Sequence, residues 1–215
     1  MKVVELHKSV TESNDRDAND LRKELKERKV CLVNLMSSPG AGKTTLLAKT
    51  VTDLKDQLKI GVIEADIASD VDAIKISNQG AKSIQVHTDG MCHMDAGMTK
   101  RGVDELGVDE LDLVFLENVG NLICPAEFDT GAHKNVMILS VPEGDDKPLK
   151  YPLMFERADA LLLTKMDTIK FFNFDLEKCI DQVKKLNPNI NIFPVSAKTG
   201  DGMDKWEAYL KSSIF

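Results

Sequence analysis

With 215 residues, 42% of them hydrophobic and 29% charged, the chain has apolar material for one compact domain beneath an ordinary polar surface. A net charge of −7 argues against general affinity for nucleic acid or anionic membrane, since both are polyanions. No stretch approaches the roughly 18 apolar residues of a membrane span, MKVVELHKSV lacks the apolar centre of a secretory signal, and cysteines 31, 92, 124 and 179 follow no disulfide pattern, so a reducing cytoplasm is expected.

Residues 1–29 read as an N-terminal extension. Residues 11–29 are polar and rich in helix formers, with Ala18, Leu21 and Leu25 at helical spacing and Asn14 or Asp15 placed to cap the helix. So few apolar positions predict a peripheral or subunit-contact helix. Residues 30–215 read as the main domain. Strands are predicted at VCLVNLM from Val30, then at Ile60–Glu64, Ser83–Val86, Leu111–Glu117, Val136–Val141, Ala160–Thr164 and Ile190–Val195. Helices are predicted between most of them, at Lys43–Leu58, Val71–Gln79, Met91–Leu106, Asp175–Leu186 and Met203–Ser212. This alternation predicts an α/β domain with a mostly parallel central sheet and helices on both faces. Ligands in such sheets sit beyond the carboxyl ends of the strands.

The first motif, Ser37-Ser38-Pro39-Gly40-Ala41-Gly42-Lys43-Thr44-Thr45, lies between a strand and a helix. Gly40 and Gly42 let the backbone wrap around phosphate oxygens, and the helix presents its positive N-terminus to the same anion. Lys43 would reach the terminal phosphates and Thr44 would offer a hydroxyl to magnesium, as in a P-loop NTPase. Ser37 stands where the usual motif has glycine.

Thr164-Lys165-Met166-Asp167 ends a later strand. An aspartate there accepts from the ring N–H and the exocyclic amine of guanine, a donor pair that adenine lacks. Ser196-Ala197-Lys198 follows the next strand, where backbone would meet the guanine carbonyl. Together these motifs predict GTP or GDP as the nucleotide. Candidate carboxylates for magnesium are Asp66, Asp72 and Glu117; one of them, or a backbone group, would position water for in-line attack.

Glu117-Asn118-Val119-Gly120-Asn121-Leu122-Ile123-Cys124-Pro125, with SSPGAGKTTLL before it, Glu64-Ala65-Asp66-Ile67, Cys92-His93, EGDDKP at 143–148 and the later T-K-x-D, resembles the hydrogenase-maturation GTPases of the HypB family. The resemblance runs from about Asn14 to the C-terminus. It implies a P-loop GTPase that helps insert nickel into nickel–iron hydrogenase, forms a nucleotide-linked homodimer, and works with other maturation proteins and the hydrogenase large subunit. It also implies Cys92, His93 and Cys124 as ligands for nickel or zinc. Thiolate and imidazole suit both metals. On spacing alone, two ordinary buried cysteines and a hydrogen-bonded histidine remain an alternative. Adjacent Cys92 and His93 can converge on one ion from a loop, whereas in a helix they diverge by about 100°.

The chain departs from many relatives: no histidine-rich tract and no N-terminal cysteine cluster are present, and only His7 lies in the first 30 residues, so nickel storage and an extra N-terminal metal site are not expected. Cys31, inside an apolar strand, and Cys179, on a predicted helix, read as core or surface residues without chemistry. Rival readings are a urease-type metallochaperone GTPase, a metal-binding adaptor that a nucleotide merely stabilises, and a small-molecule kinase.

Overall fold

The computed structural model describes residues 6–66 and 79–215. Helix α1 (Leu6–Glu27) leads into β1 (Cys31–Ser37), α2 (Lys43–Leu54), β2 (Ile60–Asp66), β3 (Lys82–His87), α3 (Ala96–Leu106) and β4 (Leu113–Glu117). A short helix α4 (Cys124–Glu127) precedes β5 (Lys134–Ser140), after which a 3-10 turn (Val141–Glu143) and two short helices, α5 (Lys147–Lys150) and α6 (Pro152–Glu156), reach β6 (Ala160–Thr164). A second 3-10 segment (Met166–Phe171), α7 (Leu176–Leu186), β7 (Asn191–Pro194) and α8 (Met203–Ser212) complete the chain. The predicted helix Val71–Gln79 and the candidate Asp72 fall outside the described residues, Gln79 excepted.

All described strand pairs are parallel, in the order β3-β2-β4-β1-β5-β6-β7. Every residue of β1 is buried, as expected of a central strand covered on both faces. On one face Val33, Leu35 and Phe115 pack with Leu46 and Leu47 of α2 and Trp206 of α8. On the other, Leu32, Val114 and Leu116 meet Leu25 of α1 and Val103 of α3, while Met137 and Leu161 meet Val183 of α7. The chain leaves β1 for β2, two places away, and later returns to β5 on the opposite side. The carboxyl end of β1 is therefore the switch point where such sheets open a crevice.

Two sequence expectations shift in ways that matter. Asn14 lies inside α1 and does not cap it: its Nδ2 donates to the Asp129 carbonyl at 2.9 Å and its Oδ1 accepts from the Ala96 amide at 2.9 Å. Helix α3 starts at Ala96, not Met91, because the Asp95 carboxylate accepts from the Met98 amide at 2.7 Å and caps it there. Cys92 and His93 consequently occupy a loop.

Helix α1 is seated on the domain by more than its small apolar stripe. Ala18, Leu21 and Leu25 are buried, and Arg22 forks onto both Asp129 oxygens at 2.7 Å while donating to the Ala132 carbonyl at 3.0 Å. Replacing fully buried Leu25 with alanine is expected to cost about 3 kcal/mol from transfer and cavity terms, read as a lower urea midpoint at unchanged slope.

His133 sets a pH limit on the same contact. Its Nδ1 accepts from the Leu32 amide at 3.1 Å and its Nε2 lies 3.0 Å from the Arg22 carbonyl, which fits the neutral ring with the proton on Nε2. Burial holds its pKa below the ordinary 6.5. The unfolded chain therefore takes up the proton first, and stability is complete above 6.5 and declines as pH falls below it. Thermal melts between pH 7.5 and 5.5 should show that decline, and His133→Gln should flatten it.

Candidate functional site: a nucleotide cleft joined to a thiol–imidazole cluster

The turn after β1 folds as the sequence predicts, and Ser37 explains its own departure from glycine. Among the described residues, left-handed backbone in this turn falls on Gly40 (φ 77°) and Gly42 (φ 98°). Ser37 is the last residue of β1, where a side chain is tolerated, and its buried hydroxyl accepts from Lys43 Nζ at 2.7 Å. Pro39, Gly40, Gly42, Lys43, Thr44 and Thr45 border a cleft of about 580 Å³ at the carboxyl ends of β1, β2 and β4. Ala41 lies beneath, its carbonyl accepting from Thr164 Oγ1 at 2.8 Å.

Glu117 ends β4 in register with Leu35, and its Oε1 accepts from Thr44 Oγ1 at 2.9 Å. A hydroxyl and a carboxylate at that spacing, beside a phosphate loop, are the hard oxygen donors that magnesium selects. Asp66 ends β2, two residues beyond Glu64, which pairs with Glu117 across the ladder; its side chain lies outside the described residues.

A smaller pocket of about 240 Å³ opens on the other side of the loop, between Ala41, Thr45, Lys165, Asp167, Ala197 and Lys198. Lys165 adopts a left-handed backbone (φ 59°) that turns its side chain back across the loop, where Nζ donates to the Gly40 carbonyl at 2.8 Å. Asp167 Oδ1 accepts from buried Ser196 Oγ at 2.8 Å, which fixes the carboxylate at the pocket wall. The structure thus brings T-K-x-D and S-A-K, separated in sequence, into one pocket contiguous with the phosphate loop.

The three soft donors also converge. One ligand atom each from Cys92, His93 and Cys124 lies within 4.8 Å of the others. Cys92 Sγ is 2.8 Å from Cys124 Sγ and 3.8 Å from His93 Nδ1, and the cysteines are free thiols. The hydrogen bond shared with Cys92 raises the Cys124 pKa above 9.0, with burial adding to it. Burial lowers that of His93, keeping the ring neutral and so competent as a ligand. His93 stacks on Phe128 with centroids 4.0 Å apart. Cys31 and Cys179, by contrast, are wholly buried, with pKa values pushed by burial up to about 11 and about 12.

Residues to which the sequence reading assigned no place at either site hold these sites. Glu143 Oε2 accepts from the Ser140 amide and hydroxyl at 2.8 and 2.6 Å, while its Oε1 accepts from Ser38 Oγ of the phosphate loop. The EGDDKP segment is therefore a brace for that loop, and its Lys147 closes its own turn on the Glu143 carbonyl at 2.8 Å. Asn14 ties the segment after His93 to the segment after Cys124. The capping pattern S-x-x-E at 140–143 was a usable signal for Glu143; Asn14 reads from sequence only as a helix cap.

Residues 31–194 match the family model described as CobW/HypB/UreG, nucleotide-binding domain. Over 211 residues, 98% of this chain and 73% of the relative, the sequence is 45% identical to hydrogenase maturation factor HypB of Escherichia coli (strain K12). The chain belongs to the HypB family. Solved HypB structures share its fold: the Helicobacter pylori protein in complex with nickel superimposes with a TM-score of 0.88 at 37% identity, covering 93% of this chain and 94% of that one. HypB from Archaeoglobus fulgidus gives 0.87 at 34% identity, covering 93% and 98%. The phosphate-loop fold of this HypB-family chain is that of a nucleotide-binding domain, and no helix among its described residues is long and apolar enough to cross a membrane.

Proposed function

We propose that this chain is a GTP-binding, GTP-hydrolysing metallochaperone that helps deliver nickel during nickel–iron hydrogenase maturation, with its metal site coupled to its nucleotide site. One observation carries the coupling: segment 117–124 begins at Glu117, bonded to Thr44 in the cleft, and ends at Cys124 in the thiol–imidazole cluster. A displacement at the terminal phosphate therefore has a short covalent path to one of three metal donors, the shift logic of nucleotide switches.

In this reading the amides of the phosphate loop and Lys43 hold the phosphates, and Asp167 with Ser196, Ala197 and Lys198 selects guanine. Lys165 packs along the base and pins the loop through the Gly40 carbonyl. Thr44, Glu117, Asp66 and Asp72 are the proposed residues around Mg²⁺, which when bound would neutralise charge on the phosphates. Glu117 keeps Thr44 oriented, and one of the three carboxylates or a backbone group orients the attacking water. Slow hydrolysis suits a timer for metal release.

The donor set of two thiols and an imidazole suits nickel as cargo and accepts zinc as well. Three donors leave at least one coordination position for water, a partner or a second copy. Met91 and Ile123, 41% and 55% exposed, flank Cys92 and Cys124 with apolar surface that supports closure by another protein. We assign that closure to a nucleotide-linked homodimer and, in turn, to other maturation proteins and the hydrogenase large subunit, in the cytoplasm.

The test combines turnover and binding. GTP is expected to be hydrolysed slowly, ATP at least about tenfold more slowly at equal concentration, and Lys43→Ala is expected to be inactive. Equilibrium dialysis should find one nickel or zinc per chain. Equal use of ATP would overturn the guanine assignment, and absence of stoichiometric metal would overturn the carrier.

A further inference from the structure

Asn118 is a buried polar residue of segment 117–124 to which the proposed function assigns no role. It sits one position beyond Glu117, where β4 ends, and is 1% exposed. A carboxamide there must satisfy its polar atoms within the protein. Its Nδ2 donates to Asn34 Oδ1 at 3.1 Å, and Asn34, in the middle of β1, donates in turn to Asn135 Oδ1 at 3.0 Å. Its Oδ1 accepts two amides: Val119 at 2.9 Å and Met94 at 3.1 Å. Met94 follows His93 directly and is itself fully buried. The same oxygen therefore holds the backbone of the strap that carries Cys124 and the backbone of the loop that carries Cys92 and His93.

The rest of the strap divides between the two sites. Gly120 lies against the phosphate loop: a Cβ there would come within 3.0 Å of the Pro39 backbone nitrogen. Asn121 Nδ2 donates to the Cys92 carbonyl at 3.3 Å, and its Oδ1 accepts from the Ile123 amide at 2.8 Å. Glu117 and Gly120 thus border the cleft, Asn121 faces the metal loop, and Asn118 lies between them, bordering the cleft while its carboxamide holds the metal loop at Met94. Of the two asparagines, only Asn118 is buried and anchored to the central strands, so it alone is fixed to the sheet.

We infer that Asn118 is the positioning residue of the switch: through one buried carboxamide it transmits the position of the strap beside the nucleotide to the Cys92–His93 loop, so that the two cluster-bearing segments move together or part according to the nucleotide. The inference rests on the coupling proposed above and names the side chain that carries it. The Asn118 carboxamide bonds Asn34, Val119 and Met94 and none of the three metal donors, so its loss should change the dependence of metal binding on nucleotide and leave each binding event in place.

The experiment measures nickel dissociation constants of the full chain with GDP and with a non-hydrolysable GTP analogue, for wild type, Asn118→Ala and Asn34→Ala. Asn34→Ala disturbs the same buried amide chain but leaves the bond to Met94, and so controls for a purely structural role. Wild type is expected to show a ratio of about fivefold or more, the low end of measured couplings. In Asn118→Ala the ratio should fall to within about twofold of unity, with nickel stoichiometry and analogue affinity retained; Asn34→Ala should keep the wild-type ratio. Should Asn118→Ala not fold, the wild-type Met94 amide resonance, compared in the two nucleotide states, decides: it is expected to shift, and an unchanged resonance overturns the assignment. A full ratio in Asn118→Ala, or an equal loss in Asn34→Ala, also overturns it while leaving the coupling standing. A wild-type ratio of one removes the coupling itself, and this inference with it.

Discussion

Asp167→Asn is expected to weaken GTP binding by about a thousandfold and to create affinity for xanthosine triphosphate. The carboxylate is held at the pocket wall by Ser196 Oγ at 2.8 Å, opposite Ala41 and beside Lys165. Guanine presents two adjacent donors, and each charge-assisted bond to the carboxylate is worth roughly 1.5–3 kcal/mol. An asparagine of the same shape offers one acceptor and one donor, so its amide opposes the guanine amine. Xanthine carries a carbonyl in place of that amine and restores the pairing. Competition binding with GTP, ATP and xanthosine triphosphate reads the exchange; a variant that keeps guanine preference would show that the base lies elsewhere. Because Ser196 also donates to the oxygen of asparagine, the substitution should leave the melting temperature within a few degrees of wild type.

The second large effect concerns metal. Removing the thiol of Cys124 by alanine is expected to lower nickel affinity by about a hundredfold, near 3 kcal/mol, which is the share of one ligand in the roughly 10–16 kcal/mol of a four-ligand thiolate–imidazole site. The effect should be specific to the cluster. Cys179→Ala, at a buried cysteine whose thiol is pushed up to about 12, should leave metal affinity unchanged and act only on stability. Absorption in the thiolate-to-nickel charge-transfer region, titrated in both variants, distinguishes a ligand from a bystander. Comparable losses in the two variants would mean that folding, not coordination, had been measured.

What the sequence made legible was whatever is local. The phosphate loop declares itself because glycines with left-handed backbone, a lysine and a threonine sit within a few residues between a strand and a helix. The order of apolar runs placed the strands to within a few residues because β1, β4, β5 and β6 are buried on both faces and read as continuous apolar stretches. The cysteine–histidine cluster was legible through resemblance, since spacing alone does not show that Cys124 folds back to within 2.8 Å of Cys92. Periodicity carried the predicted helix back to Met91, but the Asp95 cap stops it at Ala96 and leaves Cys92 and His93 in a loop.

The braces were illegible for one physical reason: they join residues far apart in the chain. Asn14 bonds Asp129 across 115 positions and Ala96 across 82, and Ser38 meets Glu143 across 105. An asparagine near a helix start reads as a cap because that is its commonest local use, and only the packing of α1 on the sheet turns it inward. The same applies to Asn34, a polar residue in an apolar strand whose partners are Asn135, opposite it in β5, and Asn118, one position beyond the end of β4.

Equilibrium binding of nickel with GDP and with a non-hydrolysable GTP analogue, in wild type and in Cys92→Ala, tests the central claim most directly. Stoichiometric binding that changes with the nucleotide and is lost in Cys92→Ala is the predicted result. Nickel affinity identical in the two nucleotide states, or indifferent to the cysteine, would contradict a nucleotide-controlled metal carrier.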